Sequence, residues 1–246
     1  MRNRALFSTR QIAFAGVLGA VTVVLGSTPM GFIQIPPISI TIMHIPTIIA
    51  GVLQGPVIGG IVGAMFGGFS MYQAQTSVNP LDKAIFSNPL IAVVPRILIG
   101  VVAHYVFQLV RGRAGRSVLV AVSGALVGYT GYALIPTFSG YLARLSGAGN
   151  ALESSPIRVV IAFILAVIAG FLVHRIEERF GHGPALAAAA GSLTNTVLVL
   201  SLIVAFGFLP GQVALTVGVM NGIPEAFVAI VLTGLVYRSV SRFTEG

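Results

Sequence analysis

The stretch NGIPEAFVAIVLTGLVYRSV, residues 221–240, is apolar enough to cross a bilayer, yet it carries a carboxylate, Glu225, directly after the helix-breaking Pro224. The chain holds only six acidic residues. A charged side chain at the centre of a bilayer costs about 2.5–3.5 kcal/mol on insertion scales, so this one calls for a partner or a function.

Working outward, the whole chain is 56% hydrophobic and 8% charged, whereas ordinary soluble domains are about 25% charged. It lacks the polar surface to cover itself in water. Apolar runs follow one another at approximately 11–27, 38–54, 56–74, 88–110, 117–136, 158–175, 185–207 and 214–237. Runs such as RVVIAFILAVIAGFLVH, residues 158–174, lack the alternation of apolar and polar residues that barrel strands require. The expected fold is therefore all-α, a polytopic transmembrane helical bundle of eight spans forming a single integral membrane domain over residues 1–246.

The basic residues test this map, because cytoplasmic loops carry the excess of Lys and Arg. With the N-terminus inside, Arg2, Arg4, Arg10, Arg111, Arg113, Arg116, Arg175, Arg179, Arg238 and Arg242 are cytoplasmic. Only Lys83, Arg144 and Arg158 fall outside, and Arg96 lies within a helix. Both termini are thus expected inside, in the plasma membrane. The first run follows basic residues as a signal peptide does, but no small-x-small cleavage site follows it, and it reads as a retained helix.

Small residues dominate two spans. Gly55, Gly59, Gly63 and Gly67 recur every four residues, with Gly60, Ala64 and Gly68 one step round. Such ridges let helix backbones approach closely in lipid, and here they read as packing within the chain. The turn LQGPVIGG, residues 53–60, has almost no polar spacer and implies a tight helical hairpin. The first span carries a similar stripe of Ala15, Gly16, Gly19 and Ala20.

Three ionisable groups within spans are candidates, His44, Arg96 and Glu225, and each lies beside a proline: Pro46, Pro95 and Pro224. A proline donates no backbone hydrogen bond, which frees the carbonyls of Ile42, Ile91 and Met220. In lipid those carbonyls must be satisfied by protein, water or ligand. At 1.5 Å per residue, Arg96 lies about 12 Å and Glu225 about 16 Å below the outer ends of their spans, with His44 at about 9 Å and Asn221 at about 10 Å. Asn195 approaches the same level from the cytoplasmic side. Polar groups converging beside interrupted helices are how transporters build a site for a polar solute. Tyr72, Gln73 and the loop SVNPLDKAIFSN, residues 77–88, would roof it. Against this stands a structural reading in which Arg96 and Glu225 simply pair, His44 is hydrogen-bonded, and the asparagines join helices.

The chain contains no cysteine, which excludes disulfides and thiolate metal sites. No G-x-x-x-x-G-K-[ST], H-E-x-x-H or G-x-S-x-G motif is present. No enzymatic activity, cofactor, metal or nucleic-acid partner is expected, and ATP-driven transport would need other subunits.

ISITIMHIPTIIAGVLQGPVIGGIVGAMFG (38–67), NPLIAVVPRILIGVVAHYVF (88–107), GSLTNTVLVL (191–200) and NGIPEAFVAIVLTG (221–234) resemble, in this order, the substrate-binding S components of energy-coupling-factor vitamin transporters, in the group that includes pantothenate, folate and riboflavin binders. The resemblance implies a protein that captures a vitamin outside and works with a transmembrane coupling subunit and two cytoplasmic ATPases. It implies too that the stripe of Ala15, Gly16, Gly19 and Ala20 meets the coupling subunit. That family has six spans. The two extra ones fall in 117–175, which reads as an inserted transmembrane hairpin. Substrate contacts are then expected from His44, Tyr72, Gln73, Arg96, Asn195, Asn221 and Glu225, with a carboxylate ligand such as pantothenate suiting Arg96. The alternative is a stand-alone secondary transporter or channel in which Glu225 and His44 relay protons.

Overall fold

The computed structural model describes residues 7–35, 38–110 and 182–244, with isolated positions between 121 and 175. Two compact units divide the chain, one formed by 1–111 with 183–246 and the other by 112–182. The hairpin assigned to 117–175 falls in the second unit, outside the described residues apart from those isolated positions.

In the first unit, helix α1 (Thr9–Ser27) begins at a reciprocal capping box: Gln11 N–H donates to the Ser8 hydroxyl while Ser8 N–H donates to the Gln11 side chain. Two orphan donors of the first turn are thereby satisfied. After a 3₁₀ turn at Pro29–Gly31, strands β1 (Phe32–Ile35) and β2 (Ile38–Thr41) pair antiparallel, with Phe32 opposite Thr41 and Ile35 opposite Ile38. Helices α2 (Ile45–Gln54) and α3 (Pro56–Thr76) follow, joined through Gly55 alone. Its φ of 97° suits a residue without a Cβ, and Pro56 opens the next helix with its fixed φ. The tight hairpin expected at LQGPVIGG is present.

Short helices α4 (Pro80–Phe86) and α5 (Pro89–Ala92) each start on an asparagine whose side chain accepts from a backbone N–H two residues on. Next come α6 (Val94–Leu109), α7 (His182–Ala205) and α8 (Gly211–Thr244). Among the described residues five stretches are long and apolar enough to cross a membrane: α1, α3, α5 with α6, α7 and α8. The protein is an all-α, multi-pass membrane bundle with, among the described residues, one small β-hairpin.

The second expected span, 38–54, needs correction. Its first four residues are β2, and only ten residues are helical. At 1.5 Å per residue, α2 is about 15 Å long, half the ~30 Å hydrocarbon core. Every residue from Ile45 to Val52 is buried, so α2 is a core helix enclosed by its neighbours. The β-branched alternation in ISIT favours a strand, and continuous apolar character had hidden it.

α2, α3 and α6 pack backbone against backbone. A Cβ on Gly59 would lie 2.7 Å from Gly51 Cα and 3.0 Å from Gly100 Cα, and one on Gly67 would lie 2.6 Å from Val93 Cα. The glycine ridge of α3 therefore serves packing within the chain, mainly against α6. Ile48, Ile58, Val62, Phe66, Ile91 and Ile99 fill the surrounding core.

Candidate functional site

At the end of the bundle that carries the β-hairpin, the first unit opens into a cleft of about 530 Å³. α3 contributes Phe66, Ser70 and Gln73, which recur along one face at helical spacing. α4 contributes Asp82 and Phe86, one turn apart. Arg96 of α6, Asn195 of α7, Glu225 of α8, Thr41 at the end of β2 and Met43 just after it add to the lining, with Ala74, Thr76 and Ser77 at the end of α3.

Arg96 is the centre of the arrangement. Pro95 leaves the Ile91 carbonyl without its helical donor, and Arg96 Nη1 donates to that carbonyl at 2.7 Å. The helix interruption thus anchors the side chain that follows it. The guanidinium carbon lies 5.5 Å from the Phe66 ring centroid and 5.3 Å from that of Phe86, within reach of cation–π attraction from both. The residue is 6% exposed, and Nε is buried without a hydrogen-bond partner. A guanidinium has five N–H donors in a planar fork. One donation to a carbonyl leaves the others for an anion.

Glu225 is 8% exposed, and its Oε1 accepts from the Thr41 N–H at 2.9 Å. Among the described residues it makes no ion pair with Arg96, although both line the same cleft. The structural pairing considered from the sequence gives way to separate backbone anchors, one within α5–α6 and one between α8 and β2. Gln73 lines the cleft while donating to the Gly26 carbonyl at the end of α1. Asn195 Oδ1 is buried without a partner.

The other expected site residues fall elsewhere. His44 is fully buried at the start of α2, with neither ring nitrogen hydrogen-bonded, and does not line the cleft. Tyr72 is 66% exposed and leans on Phe69, with ring centroids 6.2 Å apart. At 100° per residue it points away from the face shared by Ser70 and Gln73. Asn221 donates to the Val217 carbonyl of its own helix and is not part of the lining. Thr41, Phe66 and Ser70 were not anticipated, whereas Asp82 and Phe86 lie in the segment 77–88 expected to roof the site. The spacing of Phe66 and Ser70 to Gln73, and of Asp82 to Phe86, was the available signal.

The stripe on α1 also divides. Ala15 and Gly19 are buried, and Met65 of α3 occupies the place where a Gly19 Cβ would be. Gly16 and Ala20 are exposed, with nothing within 4 Å of a Cβ on Gly16.

A multi-pass helical bundle enclosing a polar cleft around one buried arginine is the architecture of a membrane protein that binds a small solute. The family model for the ECF transporter, substrate-specific component, matches residues 10–151, and the chain belongs to that family. The match runs on into the 117–175 stretch that the sequence reading sets apart. Over 84 residues the chain is 31% identical to the pantothenate transporter PanT of Leuconostoc mesenteroides subsp. mesenteroides, which covers 34% of this chain and 41% of that protein. The chain thus spans about two-fifths of the length of that curated relative.

Proposed function

We propose that this protein captures a small carboxylate-bearing vitamin, pantothenate in the first instance, from outside the cell for import. The observation that carries the reading is Arg96: buried in a cleft, held between Phe66 and Phe86, and with guanidinium donors unspent. A carboxylate accepts two parallel N–H bonds from such a fork, the strongest form of this contact. Glu225, Asn195 and Gln73 would hydrogen-bond the rest of the ligand. The Leuconostoc relative is a pantothenate transporter, which supports this choice of vitamin.

Family membership supports the remaining parts of the proposal. They are a transmembrane coupling subunit and two cytoplasmic ATPases as partners, both termini in the cytoplasm, and a contact between α1 and the coupling subunit. The division of the α1 stripe leaves Gly16 and Ala20 for that contact. The proton-relay alternative gains no support from the geometry, since His44 has no hydrogen-bond partner among the described residues through which a proton could pass to Glu225.

The test is native mass spectrometry of the detergent-purified protein with a binding screen across water-soluble vitamins. Retention or saturable binding of pantothenate is expected, and binding of no vitamin would sink the proposal. Uptake that requires the ATPase subunits is expected in cells. Uptake that survives their removal but collapses with the proton gradient would favour the alternative.

A further inference from the structure

Among the described residues three charged side chains line the cleft: Arg96, Glu225 and Asp82. The first two are anchored to backbone groups, but Asp82 is not. It stands in the first turn of α4, half-buried, and has no hydrogen-bond or ion-pair partner among the described residues. Its neighbour Lys83 is exposed. Asp82 and Phe86 share one face of α4, their backbone positions about 6 Å apart along the helix axis, and the Phe86 ring covers the Arg96 guanidinium. A free carboxylate lining an anion site would repel an anionic ligand unless the ligand presents hydrogen-bond donors to it.

We infer that Asp82 is a specificity-determining residue that accepts hydrogen bonds from the hydroxyl-bearing end of a ligand whose carboxylate lies on Arg96. The cleft is bipolar, cationic at α6 and anionic at α4, and it sets the direction in which the ligand lies. A ligand with a carboxylate at one end and hydroxyls at the other satisfies both poles. A dicarboxylate of the same length leaves two negative groups facing each other and is rejected. This inference rests on the ligand reading above. The competing role for Asp82 is as an acid in the first turn of α4, where it would favour the helix N-terminus whatever the ligand.

Calorimetric titration of the full chain in detergent separates the two. The probes are pantothenate and its analogue with both hydroxyls replaced by hydrogen, against wild type, Asp82→Ala and Asp82→Asn, with melting temperatures recorded alongside. Wild type is expected to prefer pantothenate. Asp82→Ala should weaken pantothenate about tenfold or more, as loss of a charge-assisted hydrogen bond does, and leave the analogue's affinity unchanged. Asp82→Asn keeps the shape without the charge and should lose less. It carries the test should the alanine variant not fold. Equal losses for both ligands, or none for either, would overturn the inference while leaving the vitamin reading intact. A wild-type protein that binds neither compound would overturn the vitamin reading and this inference with it.

Discussion

Gly100 and Arg96 stand one turn apart on α6, and they belong to opposite kinds of environment. Around Gly100 three helices touch through bare backbone, with no room for a methyl group. Around Arg96 the same α3 and α6, joined by α4, α7 and α8, surround a cavity lined with side chains whose hydrogen-bonding capacity is partly unspent. The first region holds its shape because it contains almost nothing that could rearrange. Its rigidity fixes the second: a Cβ on Gly63 would clash with the Arg96 carbonyl, so the same ridge that closes the helices also sets the backbone position of the binding residue.

Substitutions can break this contrast in graded steps. The broadest effect, on stability and binding together, is expected from Gly59→Ala, whose Cβ must push apart the α2 and α6 backbones. Overpacking of this kind costs about 1–3 kcal/mol, so thermal denaturation in detergent should show a lower melting temperature together with weakened binding. Arg96→Ala should do the reverse, with vitamin affinity falling about 100-fold or more for the loss of charged hydrogen bonds and folded yield retained, as read by calorimetry and size-exclusion chromatography. Normal binding by that variant would reassign the cleft. Glu225→Gln keeps the shape and an acceptor for Thr41 N–H, so an affinity loss of about tenfold is the expected outcome of the same titration. Gly68→Ala sits at the far end of the comparison. Nothing lies within 4 Å of its Cβ, and its melting temperature should match wild type, within the ±0.5 kcal/mol or so usual for an unconstrained surface site.

These regions were not equally legible in the sequence. The glycine spacing declared close helix packing directly, because small residues at four-residue intervals have few other uses in lipid. The proline arguments also carried through at one site: Pro95 freed the Ile91 carbonyl, and the adjacent arginine took it. Two things were hidden. A short apolar run does not reveal its period when both faces are buried, so ISIT passed for the start of a helix. The cleft wall depended on helical phase and on α4, a seven-residue helix in a segment that reads as a loop. Tyr72 and Ser70 differ by two positions in sequence yet face opposite sides, and Asp82 gained its position only once α4 was seen to lie beside Arg96. Gln73, Arg96, Asn195 and Glu225 could be read as polar groups within or at the ends of spans; the partners that distant elements bring to Gln73 and Glu225 could not. The Thr41–Glu225 bond, which spans 184 positions, is the extreme case.

The brevity of α2 has a consequence for how the chain enters the membrane. Ten residues are too few to be held across a bilayer by their own hydrophobicity. With only Gly55 between them, α2 and α3 are delivered to the lipid as one unit. The short helix must therefore remain beside the insertion machinery until its longer partner has been synthesised. Burial of α2 by α3 and then α6 makes the order of synthesis part of the assembly of the bundle: α2 is enclosed only after the helix that carries Arg96 has arrived.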